Sequence, residues 1–451
     1  MPATYEWSSN DDAQDSVTDL GSPSRPYLAV PQLFSLLTQF GRFGALEGGG
    51  ISRLAASDAD GEARRAFVAQ LEKSGADVGV DAVGNVHGRF ALAGPDAPWV
   101  LCGSHLDSQR GAGELDGTYG VLAGLCAARA LVRAREDGVV FTSNLCIVDW
   151  CNEEGARFQP SMLGSAVYAG KITTAFAHSR KDSEGRSLGD ELERIGFRGT
   201  AALPAAPRAY IELHIEQGLL LESAGARLGV VRRNWGAIKQ RLVFIGVQSH
   251  TGPTPMAERR DALLAASRVI ADLRRLADDL GTATSPLHTS VGRIHVEPNS
   301  PNTVAARVEM WVELRSADPD VLARARRALQ DIAGEAAQRG DVRYECASEE
   351  IRPAGETSPK VERWMEASAR RLGTGLLPLD TVSGHDALNL LDICDVGLMF
   401  VPSIGGITHH PDERTSADDL ALGLKALTDV LWSACTEPLE PFNPLPPEKQ
   451  T

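Results

Sequence analysis

Five short polar stretches hold the side chains with most chemical reach: Ser104-His105-Leu106-Asp107, Leu115-Asp116-Gly117, Asn152-Glu153-Glu154-Gly155, Leu213-His214-Ile215-Glu216 and Thr408-His409-His410-Pro411-Asp412-Glu413. Imidazole with carboxylate suits borderline divalent ions, His favouring zinc, nickel or cobalt and carboxylate tolerating manganese. One carboxylate between two cations about 3.5–4 Å apart can hold both. A neighbouring carboxylate outside the ligand set keeps its basicity for moving protons. Each residue also has a plainer reading. A His at a strand end is commonly a hydrogen-bonded structural group, and paired glutamates are commonly solvated. The glycines at 111, 113, 117 and 120 match neither phosphate-cradle spacing, GxGxxG or GxxxxGK(S/T). Spacing alone leaves the metal-binding and structural readings both open.

The elements that must position these residues follow an α/β rhythm from about Ala29. Pro98–Ser104 reads as a buried strand, a glycine-rich loop follows, and Val121–Arg133 has helical apolar spacing. Asn144–Trp150 and Ala209–His214 are further strands, each running straight into one of the polar stretches. In open α/β sheets ligands collect beyond the carboxyl ends of strands, so three strands ending in His or Glu are a functional signal. Between about Ala226 and Glu350 the rhythm changes. Strand-like Ala237–Val247, helical Arg259–Leu280, strand-like Thr289–Val296 and Thr303–Arg315, helical Asp318–Gly340 and strand-like Asp341–Ser348 give β-α-β-β-α-β, a split ferredoxin-like module. The α/β pattern resumes near Glu356, with a strand at Asp395–Val401 and a last helix around Asp418–Cys435. The expected organisation is a flexible polar extension over 1–27, a catalytic domain over 28–225 and 351–451, and an inserted domain over 226–350.

Composition narrows the classes. The chain has 451 residues, 43% of them hydrophobic and 23% charged, which is globular and long enough for two or three domains. Lys+Arg of 45 against Asp+Glu of 60 gives −15, which argues against nucleic acid and anionic membranes as partners. The seven cysteines, 102, 126, 146, 151, 346, 394 and 435, are odd in number and lie mostly in apolar runs. Buried reduced thiols are expected rather than a disulfide framework. The first 27 residues have neither the basic start nor the apolar core of a signal peptide, so the expected location is cytoplasmic.

In order along the chain, GSHLDS, GELDGTYGVLAGL, WCNEEGARF, ELHIEQG, SHTGPTPMAERRDAL, PNSPNTV, SGHDA and FVPSIGGITHHPDE resemble the motifs of hydantoinase/carbamoylase-family amidases. That group lies within the zinc-dependent aminoacylase and carboxypeptidase superfamily. The resemblance spans about residues 30–435. It implies a dinuclear-metal catalytic domain with a mixed sheet flanked by helices, and an inserted α+β lid through which the chain forms a homodimer. It further implies two divalent ions per subunit (Zn, Mn, Co or Ni). The first would be held by His105, Asp116 and His214, and the second by Asp116, Glu154 and His409, with Asp116 as the bridge. Glu153 would be the general base and Asp107 would orient His105. His409 rather than His410 matches the family's histidine.

On the substrate side, the resemblance makes His250 the stabiliser of a developing oxyanion in the partner subunit's site. Asn302 and Arg315 would grip the substrate carboxylate, Arg being suited to a bidentate hold. Gln217 and His385 would line the pocket. The implied reaction is hydrolysis of an N-carbamoyl amino acid, L-α or β-alanine type, to amino acid, CO₂ and ammonia. Allantoate or ureidoglycolate hydrolysis, and N-acyl amino acid or dipeptide hydrolysis, are alternatives on the same scaffold; a catalytically inactive binding protein is a remote one. Ala305 where Pro is usual, Glu313-Leu314-Arg315 for Asp-x-Arg, and Gln109–Gly113 for a Pro and paired Gly depart from the family pattern. They bear on the substrate side and leave the metal set intact.

Overall fold

The computed structural model describes residues 21–438 and Phe442; the expected extension 1–27 lies outside them as far as residue 20. From Ser22 the chain is already anchored. Ser24 donates to the buried carboxylate of Asp429 at 2.6 Å and Ser22 joins it. The described chain divides into two units, one formed up to Arg232 with Thr357–Leu379 and from Ser383 on, the other Arg233–Glu356 with Asp380–Val382.

In chain order the first unit contributes α1 (Val30–Phe40), α2 (Asp58–Lys73), β1 (Asp77–Val80), β2 (Val86–Phe90), β3 (Trp99–His105), α3 (Thr118–Glu136), β4 (Asn144–Trp150), β5 (Ala209–Ile215) and β6 (Gly229–Asn234). The second unit contributes β7 (Gly236–Ile245), α4 (Ala262–Leu280), β8 (His288–Glu297), β9 (Arg307–Ser316), α5 (Pro319–Arg339) and β10 (Arg343–Arg352). The chain returns with α6 (Pro359–Arg371), β11 (Asp395–Val401) and α7 (Ala417–Thr436).

The first unit is built on a mixed sheet in the order β6-β11-β5-β3-β4-β2-β1. Its centre, β11, β5, β3 and β4, is parallel, so all four strands deliver their carboxyl ends to one edge. These strands are buried along nearly their whole length because both faces are covered. Leu101, Val148, Tyr210 and Leu398 face one core, while Cys102, Ile147, Ile211 and Met399 face the other, the two-residue alternation of a strand. Helix α3 lies against that second face and is almost wholly buried. Its small residues let it approach closely: a Cβ on Gly120 would fall 2.3 Å from the Leu213 carbonyl oxygen.

The second unit is a four-stranded antiparallel sheet ordered β8-β9-β7-β10 with α4 and α5 on one face, the arrangement the β-α-β-β-α-β reading implies. The stretch expected as one strand over Thr303–Arg315 is two, Thr303–Val304 and β9, which pair in different sheets. The unit begins at Arg233, after the rhythm change read at Ala226, because β6 pairs antiparallel with β11 in the first unit's sheet. Both helices of the second unit start on Asp caps, Asp261 accepting from Leu263 and Leu264 N–H and Asp318 from Asp320 and Val321 N–H. Six of the seven cysteines are buried and unpaired; Cys346 is exposed. No described helix is long and apolar enough to cross a membrane.

Candidate metal and active site

The ends of β3 and β5, the loop after β4, the N-terminus of α3 and the loop before α7 bring five side chains together. His105 is the last residue of β3 and His214 the penultimate residue of β5. Asp116 precedes Gly117, the N-cap of α3, at φ 65°. A Cβ there would strike the His105 ring at 2.4 Å, so only glycine lets the bridge loop close over that imidazole. His409 also takes a left-handed backbone, φ 53°.

Asp116 Oδ1 lies 3.1 Å from His214 Nε2 and 3.7 Å from His105 Nε2. Its other oxygen, Oδ2, lies 3.2 Å from His409 Nε2, which is itself 3.3 Å from Glu154 Oε2. Ligand atoms around one tetrahedral ion sit about 3.3–3.4 Å apart, given bonds of about 2.0–2.1 Å. The spacing therefore fits two adjoining ions sharing one carboxylate. Two further observations support the fit. Glu154 Oε1 is buried with no hydrogen-bond partner among the described residues. Both buried imidazoles turn Nε2 inward because Nδ1 is tied to backbone, His105 to the Asp107 carbonyl at 2.8 Å and His214 to the Ile215 carbonyl at 2.9 Å.

The charges are mutually dependent. Burial would raise Asp116, but hydrogen bonds and charge from His214 and His409 bring it well below the usual carboxylate range. Burial lowers His105 to about 4. For His214, burial acts downward but the Asp116 hydrogen bond and charge raise it to about 9. Glu153 is 7% exposed. Burial, then the charges of Asp386, Glu154, Asp107 and Asp116, push its carboxyl well above the ordinary value. A carboxylate so placed is eager for a proton, which is what a general base requires.

Asp107 divides its work in a way the motif did not reveal. Its backbone carbonyl orients His105, while its carboxylate accepts the N–H groups of Glu153 at 3.1 Å and Glu154 at 3.3 Å. The backbones of Glu153 and Glu154 are thus fixed through one buried carboxyl group. Gln217, at φ 60°, donates to Asp116 Oδ2 at 2.8 Å, and its Oε1 has no described partner. His385 is 2% exposed and packs edge-on to His214, ring centroids 4.7 Å apart, with Phe400 against both rings at 5.3 and 6.3 Å. It packs against His214 within the core. His410 is exposed and its Nδ1 accepts from Asp412 N–H.

With this geometry in place, a family model described as peptidase family M20/M25/M40 matches residues 101–433. The chain belongs to that family. Among relatives of this M20 chain, the N-carbamoyl-L-amino-acid amidohydrolase of Rhizobium meliloti is 34% identical over 412 residues, covering 91% of this chain and 96% of its own. The allantoate amidohydrolase of Bacillus subtilis is 33% identical over 401 residues, covering 87% and 94%. The crystal structure of a hydantoinase/carbamoylase-family amidase from Burkholderia vietnamiensis superposes with a TM-score of 0.87 at 35% identity, covering 93% of this chain and all of that one. The resemblance read from the motifs holds, and so does the fold class.

In the second unit of the M20 chain, His250 sits on a two-residue strand, Ser249–His250, paired with Thr303–Val304. Asn302 is beside it, its carbonyl accepting from Thr251 N–H at 3.2 Å. Gly252 N–H donates to His250 Nδ1 at 3.1 Å, leaving Nε2–H as the outward donor. Arg315 lies on the polar face of β9, where Glu313 takes its Nη2 at 2.8 Å and the Val382 carbonyl its Nη1. The sequence reading gave no role to Glu413 or to Glu212, though both are buried beside the ligands. Glu212 accepts from Ser104, Tyr210 and Ala387 N–H. Their signal is slight: Glu212 is two residues before His214 on a strand, hence on its face, and Glu413 is four beyond His409.

Proposed function

We propose that this M20 chain is a two-ion amidohydrolase that cleaves the ureido C–N bond of N-carbamoyl amino acids, giving amino acid, CO₂ and ammonia. The observation that carries the reading is the division of Asp116, one oxygen facing His105 and His214 and the other facing His409 and Glu154. Bound there, divalent ions would lower the pKa of water and polarise the carbonyl under attack.

The chain's own groups do the rest. Glu153 accepts the proton of the attacking water and returns it to the departing nitrogen, the acid–base exchange its raised pKa favours. His250 donates through Nε2–H to the oxygen that gains charge. Asn302 and the Arg315 fork hold the substrate carboxylate, and Gln217 presents its free Oε1 to the ureido N–H groups. Carbamic acid released on cleavage decomposes to CO₂ and ammonia.

The working form in this proposal is a cytoplasmic homodimer joined through the second unit, with His250 serving the partner's site. Edge strands β8 and β10 each have one neighbour among the described residues, which leaves a sheet edge open for pairing. The absence of disulfides among the described cysteines supports a reducing compartment. Allantoate or ureidoglycolate hydrolysis is the second reading, favoured by the comparable identity to the Bacillus subtilis allantoate enzyme.

Ammonia release from N-carbamoyl-L-amino acids, N-carbamoyl-β-alanine and allantoate, before and after chelation, decides between these. Turnover of the first group, lost to chelator and restored by zinc, manganese, cobalt or nickel, is expected. No turnover of any ureido compound with any of these ions would refute the proposal. Mixing His250→Ala and Glu153→Ala subunits should restore activity if the site is shared; no recovery would refute sharing.

A further inference from the structure

We infer that Glu413 is a positioning residue that clamps the loop bearing Asp116 to the loop bearing His409, and so assembles the second ion position. The inference rests on the two-ion reading above. Glu413 is 2% exposed, and every oxygen it has is engaged. Oε1 accepts the backbone N–H of Leu115 at 3.0 Å and of Asp116 at 3.1 Å. Oε2 accepts from the Thr408 hydroxyl at 3.1 Å, and that hydroxyl lies 3.3 Å from Asp116 Oδ2.

One carboxylate thus reaches the bridging residue's own N–H and the residue before His409. Its backbone closes the same loop, Glu413 N–H donating to the His410 carbonyl at 3.0 Å. Gly113 shows how tight the joint is: a Cβ there would sit 2.3 Å from both Cβ and Oε1 of Glu413.

The two ligand groups differ in their need for such a clamp. His105 and His214 are set by sheet strands that are hydrogen-bonded along their length. His409 is on a loop in a left-handed conformation with 44% of its side chain exposed. A ligand on a loop needs a tether, and a buried carboxylate accepting two main-chain N–H groups is a strong one. Removing it leaves those N–H groups buried and unpaired.

The test compares Glu413→Ala, Glu413→Gln and Thr408→Val by metal stoichiometry and site affinity, using zinc or manganese added to chelator-stripped protein without substrate. Wild type should hold two ions per subunit. Glu413→Ala should hold one with affinity within about threefold of wild type, and bind the second at least 100-fold more weakly. Glu413→Gln keeps an oxygen for both N–H groups and an amide for Thr408, so it should retain the second ion within about tenfold. Thr408→Val, which removes only the hydroxyl contact to Glu413 and Asp116, should weaken the second ion alone by several-fold. Two ions at wild-type affinity in Glu413→Ala, or equal loss of both ions in all three variants, would overturn the clamp. Fewer than two ions in wild type would instead remove the reading beneath it.

Discussion

In the catalytic unit His105, Asp116 and His214 are 2%, 3% and 1% exposed, and each imidazole has its outer nitrogen tied to a carbonyl. In the second unit His250 and Asn302 are exposed, and Arg315 is shared between Glu313 and a carbonyl. In the proposed function the two regions would serve different ligands. A cation must be stripped of water and met by donors already in place, which fits the burial and bracing of His105, Asp116 and His214. An organic substrate arrives through solvent, which fits the exposure of His250 and Asn302 and the partial exposure of Arg315. The first arrangement tolerates almost no substitution; the second should trade affinity for rate in graded steps.

Substitutions in the two regions should therefore fail in different ways. The largest effect is expected at Asp116. Asp116→Ala should remove both ions and lower kcat/KM by about 10⁴-fold or more, since its two oxygens face both donor sets; elemental analysis beside kinetics checks it. A variant that kept one ion and most of its rate would break the contrast. Next comes Glu153→Gln, expected to lower kcat by roughly 10²–10⁴-fold with metal content unchanged. Loss of metal in that variant would make Glu153 a ligand rather than a base.

Arg315→Met should act on the other side of the comparison. A lost charge-assisted contact is worth about 1.5–3 kcal/mol, or roughly 10- to 150-fold, and it should appear in KM while kcat and metal content hold. A fall in kcat with KM unchanged would move Arg315 from binding to chemistry.

The smallest effect concerns stability alone. Buried His87 in β2 is lowered by burial to about 4, against about 6.5 unfolded. The unfolded chain takes up the proton first as pH falls, so this group's contribution is intact above about 6.5 and lost progressively down to about 4. Between pH 7 and 5 the loss is about 2 kcal/mol. Urea midpoints should fall over that range in wild type and less in His87→Leu, in the catalytic unit's transition only. An equal fall in the variant would refute it.

Much of this was legible because it is local. Strands Asn144–Trp150 and Asp395–Val401 coincide with the spans read from apolar runs, and the polar residues that follow each strand are forced to the same sheet edge once the strands are parallel. The strand read to end at Arg315 is there too, as β9, and its alternation sets Glu313 and Arg315 on one face. Relations between distant residues were not legible. The sequence motif could not say that Asp107 holds His105 by its carbonyl and the two glutamates by its carboxylate, or that Gln217 turns to Asp116.

Periodicity and residue type determined by themselves the α/β class and the β-α-β-β-α-β pattern of the second unit, because each depends on neighbours a few positions away; the ligand set came only from the resemblance of whole motifs. Which oxygen of Asp116 faces which histidine, why His409 rather than His410 meets it, and what Glu413 is for were decided only in three dimensions. The Glu413 contact to Asp116 joins residues 297 positions apart. Hydrogen bonds at that separation exist only after the sheet has closed and brought two loops to one edge.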